Sequence, residues 1–220
     1  MALGGDLQQS LHASGYRAQN SRALNITGAA VGVQAAAILA RQTYCTALQH
    51  AQLTEVGVYL DARQLWVVMA APFAPAVAMS GAAAGRRVLD LVNQARATPR
   101  SCGRQAYPAA RPVRWNETLA EAARLHSEDM ARNNYFSHGG RDGSNPGQRV
   151  ERVGYRYRAT GENIAGGQRT PEETVAGWIG SAGHCANLMN PAFTEMGAAF
   201  ATDARSEYGV YWTQAFGAPR

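Results

Sequence analysis

Three short strings near the start of this chain return near its end, in the same order and at almost the same distance. Gln9 and Gly15-Tyr16-Arg17 recur 139 residues later as Gln148 and Gly154-Tyr155-Arg156. Asn25-Ile26 and Gly28 recur after 138 residues as Asn163-Ile164 and Gly166, and Cys45, Leu48, Thr54-Glu55 and Gly57 recur after 140 as Cys185, Leu188, Thr194-Glu195 and Gly197. Any one match is ordinary in an Ala/Gly-rich chain. Three in order, with a drift of two in the offset, are poorly explained by coincidence. A repeat of this kind means that one supersecondary unit is built twice. It divides the chain into a degenerate half-copy over 1–73, an aperiodic Pro-containing linker over 74–85, and a complete domain over 86–217. The half-copy is predicted to hold a helix over Gln34–Tyr44 and a hairpin over Glu55–Val68.

A length of 220 residues suits one or two domains, each able to bury a core. The net charge is +5 and every one of the 21 basic residues is Arg. Those arginines are scattered, whereas nucleic-acid binding needs them clustered on one face with stacking aromatics, so no nucleic-acid partner is expected. The stretch Leu65–Ala84 is apolar but broken by Pro72 and Pro75, which argues against a transmembrane segment. The first twenty residues lack the apolar core of a signal peptide. The counterpart of the first two helices of the complete domain would also lie before Met1, so the natural chain is expected to start upstream. The three cysteines, at 45, 102 and 185, form no CxxC pair.

Local signals sketch the complete domain. Val88, Leu89, Leu91, Val92 and Ala95 form a helical stripe that Pro99 ends. Asn116 reads as the N-cap of a second helix with Leu119, Ala122, Ala123, His126 and Met130 on one face. Pro146 opens a short helix carrying Val150 and Val153, closed by Gly154. Thr170-Pro171-Glu172-Glu173 places a cap, an N1 proline and first-turn acids in sequence, the strongest helix start in the chain. That helix carries Val175, Trp178 and Ile179 and stops near Gly183. Strands over Thr194–Ala201 and Tyr208–Phe216 follow. The fold class is therefore α+β, helices around a small and mostly antiparallel sheet.

Five motifs fall in this frame: NYFSHG at 134–139, GENIAG at 161–166, GHCANLMNP at 183–191, FTEMG at 193–197 and YWTQAFG at 211–217. Together they resemble the bacterial, single-domain branch of the CAP superfamily (cysteine-rich secretory, antigen-5 and pathogenesis-related proteins). The resemblance covers nearly all of 86–217 and implies a CAP-type α-β-α sandwich. It also implies a secreted or periplasmic life and a cleft lined by two His and two Glu. His138, Glu162 and His184 match three of those four. The second Glu should precede His184, but Ile179-Gly180-Ser181-Ala182-Gly183 holds no carboxylate.

Read as chemistry, two neutral imidazoles and one carboxylate are donors for a divalent ion such as Zn²⁺, with His138 and His184 as the metal ligands and a position left for water. Such a water could attack a peptide or ester bond, with Glu162, His138 and His184 as the catalytic set. The spacings of 24 and 22 residues are not the short-range spacings that mark a zinc site from sequence. The incomplete tetrad favours a binding module for a small ligand or protein partner. A metal-assisted hydrolase and a lipid-binding protein are the alternatives. The half-copy has Leu24 and Tyr44 opposite Glu162 and His184 but keeps Asn25, Glu55 and Gly57. By that token Asn163, Glu195 and Gly197 read as fold residues, Asn163 at a turn or cap. His126 reads as a core histidine, and no G-x-S-x-G elbow frames Ser137 or Ser181 as a nucleophile. Cys102 and Cys185, beside the first helix and the cleft, are the expected disulfide, with two reduced buried thiols as the other reading.

Overall fold

The computed structural model describes residues 6–27, 45, 48–49, 53–60, 64–73 and 77–220. The chain separates into two compact units, Met1–Ala74 and Pro75–Arg220.

In the first unit, α1 (Leu7–Ala13) opens on Asp6, whose carboxylate accepts from the Gln8 amide. It ends at Gly15, whose φ of +81° suits a residue without a Cβ. Strands β1 (Ala18–Thr27), β2 (Glu55–Leu60) and β3 (Gln64–Pro72) form an antiparallel sheet in the order β1-β3-β2. Ile26, Leu65, Val67 and Met69 are buried on one face of it. The hairpin expected over 55–68 is present as β2 and β3. The helix expected over 34–44 lies outside the described residues.

The second unit opens with α2 (Gly81–Arg96), capped by Ser80. Residues 81–85, read as linker, are its first turn. Small residues there let the helix approach the sheet: a Cβ at Gly85 would lie 2.5 Å from the Ala198 carbonyl oxygen. A short ribbon follows, β4 (Arg100–Cys102) with β5 (Gln105–Tyr107), and then β6 (Arg114–Trp115). Helix α3 (Glu117–Asn133) starts on Asn116, which accepts from the Thr118 and Leu119 amides. Helix α4 (Pro146–Arg152) begins with a reciprocal capping box between Asn145 and Gln148. Strand β7 (Tyr157–Gly166) leads to α5 (Pro171–Gly180) and α6 (Ala182–Met189), which meet at Ser181. Strands β8 (Glu195–Thr202) and β9 (Val210–Pro219) complete a four-stranded sheet ordered β6-β8-β9-β7.

Alternation along β8 and β9 explains the layering. Met196, Ala198, Trp212 and Phe216 face a core shared with α2, α5 and α6. Ala199 and Ala215 face α3 and α4 through Leu119, Ala122, Ala123 and Val150. The result is the expected α-β-α sandwich. Gly197 sits where α3 crosses: a Cβ there would fall 2.0 Å from the Ala120 nitrogen. Trp178 and Trp212 are fully buried with their indole nitrogens bonded to the Ile164 and Gln168 carbonyls.

Two features fix α6. Cys102 and Cys185 are disulfide-bonded, with Cα atoms 5.4 Å apart; Cys45 is a free thiol. Arg96, fully buried on α2, donates to the carbonyls of Leu188 at 2.6 Å, Asn190 at 3.1 Å and Phe193 at 3.3 Å, and to Arg111 at 2.8 Å. It thereby satisfies carbonyls at the C-terminal end of α6 that the helix itself leaves unpaired.

Strands β1 and β7, like the short β4, β5 and β6, have no counterpart in the sequence pattern. Asn163, read as a turn or cap residue, lies inside β7 paired with Gln214, and Asn25 lies inside β1 paired with Trp66.

Candidate functional site

Glu162 is the centre of the site. It sits mid-strand on β7 with only 6% of its side chain exposed. A buried carboxylate needs paired charge or hydrogen bonds to remain ionised. Both of its oxygens have them: Oε1 accepts from His138 Nδ1 at 2.8 Å and Oε2 accepts from Arg149 Nη2 at 2.6 Å.

Arg149 comes from α4 and is nearly as buried as Glu162. Its Nη1 donates to the Ser144 carbonyl at 3.0 Å and Nη2 also to the His138 carbonyl at 2.8 Å. One guanidinium therefore holds both the carboxylate and the backbone of the residue that carries the exposed imidazole. The His138 ring is half exposed on the loop after α3. Its Nδ1–H is committed to Glu162, which leaves Nε2 as the acceptor in the neutral ring.

His126, on the buried face of α3, supports the same loop. Its Nε2 lies 3.0 Å from the Ser137 carbonyl and 3.9 Å from Glu162 Oε1. Facing a carbonyl, Nε2 carries the proton. Burial pushes this imidazole below its ordinary pKa of 6.5, outweighing the upward pull of Glu162. A cavity of about 540 Å³ lies beside it, lined in part by His126, Asp129, Ser144 and Arg149.

His184 enters from α6. An amide network places that helix against β7: Asn163 Nδ2 donates to the His184 carbonyl at 3.2 Å and to Gln214 Oε1 at 3.0 Å. Asn187 Nδ2 donates to the Glu162 carbonyl at 3.0 Å and to Asn163 Oδ1 at 3.1 Å. Burial lowers the His184 pKa, and the charge of His138 lowers it further. The three residues taken from the motifs thus share one electrostatic neighbourhood. His138 and Glu162 are bonded, and His184 is tied through Asn163 and Asn187 to the strand that carries Glu162.

The donor set fits a resident metal centre poorly. Among the described residues no three His, Cys, Asp or Glu side chains are grouped so as to hold an ion. The cleft carboxylate already faces the Arg149 cation, and His138 Nδ1 is spent. Only the outer nitrogens of two imidazoles are left to offer a metal. Glu195, the other carboxylate considered, is engaged elsewhere: its Oε2 accepts from Tyr155 at 2.8 Å and Asn116 at 3.1 Å.

The two depressed histidines set a pH dependence. A base whose folded pKa lies below its unfolded value takes up its proton more readily in the unfolded chain. Stability is then full above the ordinary value of 6.5 and is lost progressively below it. The melting temperature is expected to fall between pH 7.5 and 5.5, and to fall less in His184→Gln. An unchanged melting temperature across that window would contradict the assignment.

Comparison with known proteins agrees with this frame. The model of the cysteine-rich secretory protein family, CAP, matches residues 89–216. The chain is 42% identical over 106 residues to the uncharacterized protein YkwD of Bacillus subtilis strain 168, covering 48% of this chain and 39% of that protein. It is 38% identical over 85 residues to the uncharacterized membrane protein YlbC of the same organism, covering 39% of this chain and 25% of that one. The chain therefore spans well under half the length of either relative. The structure of an extracellular protein containing an SCP domain from Bacillus anthracis superposes with a TM-score of 0.52 at 25% identity, covering 74% of this chain and 56% of that one.

Proposed function

The chain belongs to the cysteine-rich secretory protein (CAP) family, and from that premise we propose that it works outside the cytoplasm as a binding module whose cleft presents His138 and His184. The observation that carries this reading is the double commitment of Glu162. General-base chemistry needs a carboxylate free to take a proton from water or substrate. This one is bonded on both oxygens, to His138 and Arg149. Its role is to orient an imidazole, as a ligand-presenting site requires. An extracellular setting is supported by the disulfide, which persists in oxidising compartments, and by the extracellular SCP-domain protein that the chain resembles. Among the described residues no helix is long and apolar enough to cross a membrane.

A divalent ion held by the two imidazoles is the form of ligand easiest to test. Zinc titration of the purified protein is expected to show at most weak binding, since two imidazole nitrogens are all the cleft has to offer, and that binding disappears in His138→Ala/His184→Ala while the protein still folds. Partly exposed polar residues of this kind contribute little to stability. Zinc binding that survives the double substitution would place the ion elsewhere; loss of folding would make the pair structural. A screen of peptide and ester substrates with zinc present separates the binding module from the metal-assisted hydrolase. Turnover abolished by the double substitution would overturn the binding-module reading.

A further inference from the structure

The two units contain the same set of contacts. Helices α1 and α4 are of equal length and 139 residues apart, and each ends at a glycine of positive φ, Gly15 at +81° and Gly154 at +93°. The amide of the next residue bonds back into the helix, Tyr16 to the Leu11 carbonyl at 2.9 Å and Tyr155 to that of Val150 at 3.0 Å. Each tyrosine hydroxyl then donates to the glutamate that opens a strand, Tyr16 to Glu55 at 2.6 Å and Tyr155 to Glu195 at 2.8 Å. The preceding threonine amides, of Thr54 and Thr194, both bond at 3.0 Å to the partner strand of the hairpin, at the Ala70 and Gly217 carbonyls. Strand order agrees as well: β1-β3-β2 in one unit, β7-β9-β8 in the other.

Among the described residues, the segment that covers one face of the sheet in the second unit has no counterpart in the first. In the second unit the face carrying Glu195 and Gly197 is covered by β6 and α3, a continuous strand–helix segment. The amides of Arg114 and Asn116 bond at 2.9 and 2.8 Å to the Thr194 and Met196 carbonyls on the outer edge of β8. The Asn116 side chain donates to Glu195, and the backbone of Leu119 and Ala120 lies directly over Gly197. In the first unit the corresponding face is bare among the described residues. A Cβ added at Gly57 would meet nothing within 4 Å. An open apolar groove of about 660 Å³ runs over Leu11, Tyr16, Gly57, Tyr59, Trp66 and Val68. Four of these, Leu11, Tyr16, Tyr59 and Val68, occupy the places of Val150, Tyr155, Ala199 and Ala215. Those are the residues that α3 covers through Leu119, Ala122 and Ala123.

We infer that residues 6–73 are a half-copy of residues 145–220 and that their groove is a docking site for a strand–helix segment of a partner chain built like residues 113–133. The recognition elements all belong to the described residues of the first unit. Carbonyls of Thr54 and Val56 stand where β8 receives a strand. The Glu55 carboxylate stands where an Asn at the helix start would donate. Gly57 clears the space for the first helical turn, and Tyr59, Trp66 and Val68 take the place of the surface that receives a Leu/Ala stripe. Burying that stripe supplies the driving force, since an isolated helix of this length is marginal in water.

The test uses the full chain and a fluorescein-labelled peptide of residues 112–134, followed by fluorescence anisotropy. Saturable binding is expected, weakened about tenfold or more by Gly57→Leu in the protein. The open space at Gly57 lets that variant fold, which its unchanged circular dichroism would verify. Asn116→Ala in the peptide is expected to weaken binding severalfold, through loss of the bond to Glu55. Three outcomes overturn the proposal: no binding up to about 1 mM peptide, equal binding of a scrambled peptide, or binding indifferent to Gly57→Leu. Sedimentation of the protein alone closes the remaining route. Self-association abolished by Gly57→Leu would assign the groove to a second copy of this chain, against the occupant named here.

Discussion

Replacing Glu162 by Gln is expected to destabilise the second unit by about 3–5 kcal/mol, because it strands the Arg149 cation in the interior without its counter-charge. The substitution keeps the volume of the side chain, so little of the loss is a cavity effect. Arg149→Met is expected to cost a similar amount by stranding the carboxylate instead. The pair Arg149→Met/Glu162→Gln removes both charges together and is expected to recover a large part of the loss. Such non-additivity is the mark of a coupled pair. Urea unfolding of the four proteins measures it. Single losses that simply add in the double variant would show that the two side chains do not depend on each other.

Opening the Cys102–Cys185 disulfide is the second large effect. The bridge spans 83 positions, and the entropy of closing so long a loop corresponds to about 4.5 kcal/mol. Unfolding with and without reductant, or with both cysteines changed to alanine, should show a loss of that order. A difference below about 1 kcal/mol would mean that the unfolded chain gains little freedom when the bridge opens. Cys185 directly follows His184. Reduction is therefore also expected to weaken whatever the cleft binds, by loosening the turn that carries one of its two imidazoles.

How much of this was legible in the sequence depends on whether each signal was local. Asn116 with its apolar stripe, and Thr170-Pro171 with its acids, specify the starts of α3 and α5 through caps and period, and both start where expected, but α5 ends at Gly180, short of the stop expected near Gly183, and α6 follows from Ala182. Strand β7 has no such signal. From Gly161 to Gly166 it is small and mostly buried, so no polar alternation marks it, and Asn163 reads as a turn residue until its side chain is seen bridging α6 and β9. The three cleft residues were legible through the order of the motifs around them, with spacing giving no help. Arg149 was not legible at all. It is one arginine among several between 141 and 158, and only folding brings α4 against the carboxylate of β7. For His126 the sequence indicated burial correctly, but its approach to Ser137 and Glu162 is a tertiary fact. Arg96 was hidden in the same way, a charge on an otherwise apolar helix face with three of its four partners more than ninety residues further along the chain.

Arg96 also separates two responses of the cleft to its surroundings. Its described hydrogen bonds end on backbone carbonyls, groups that neither titrate nor attract counter-ions. A guanidinium remains charged throughout the pH range in which proteins stay folded. The grip on the far end of α6 is therefore indifferent to acid and, being buried, nearly indifferent to salt. Acidification below the ordinary imidazole range charges His184, whose pKa burial holds down, while the Arg96 anchor stays in place. The charge of His184 is thus a part of this site that acid can change, and the Arg96 anchor of its helix is a part that acid cannot.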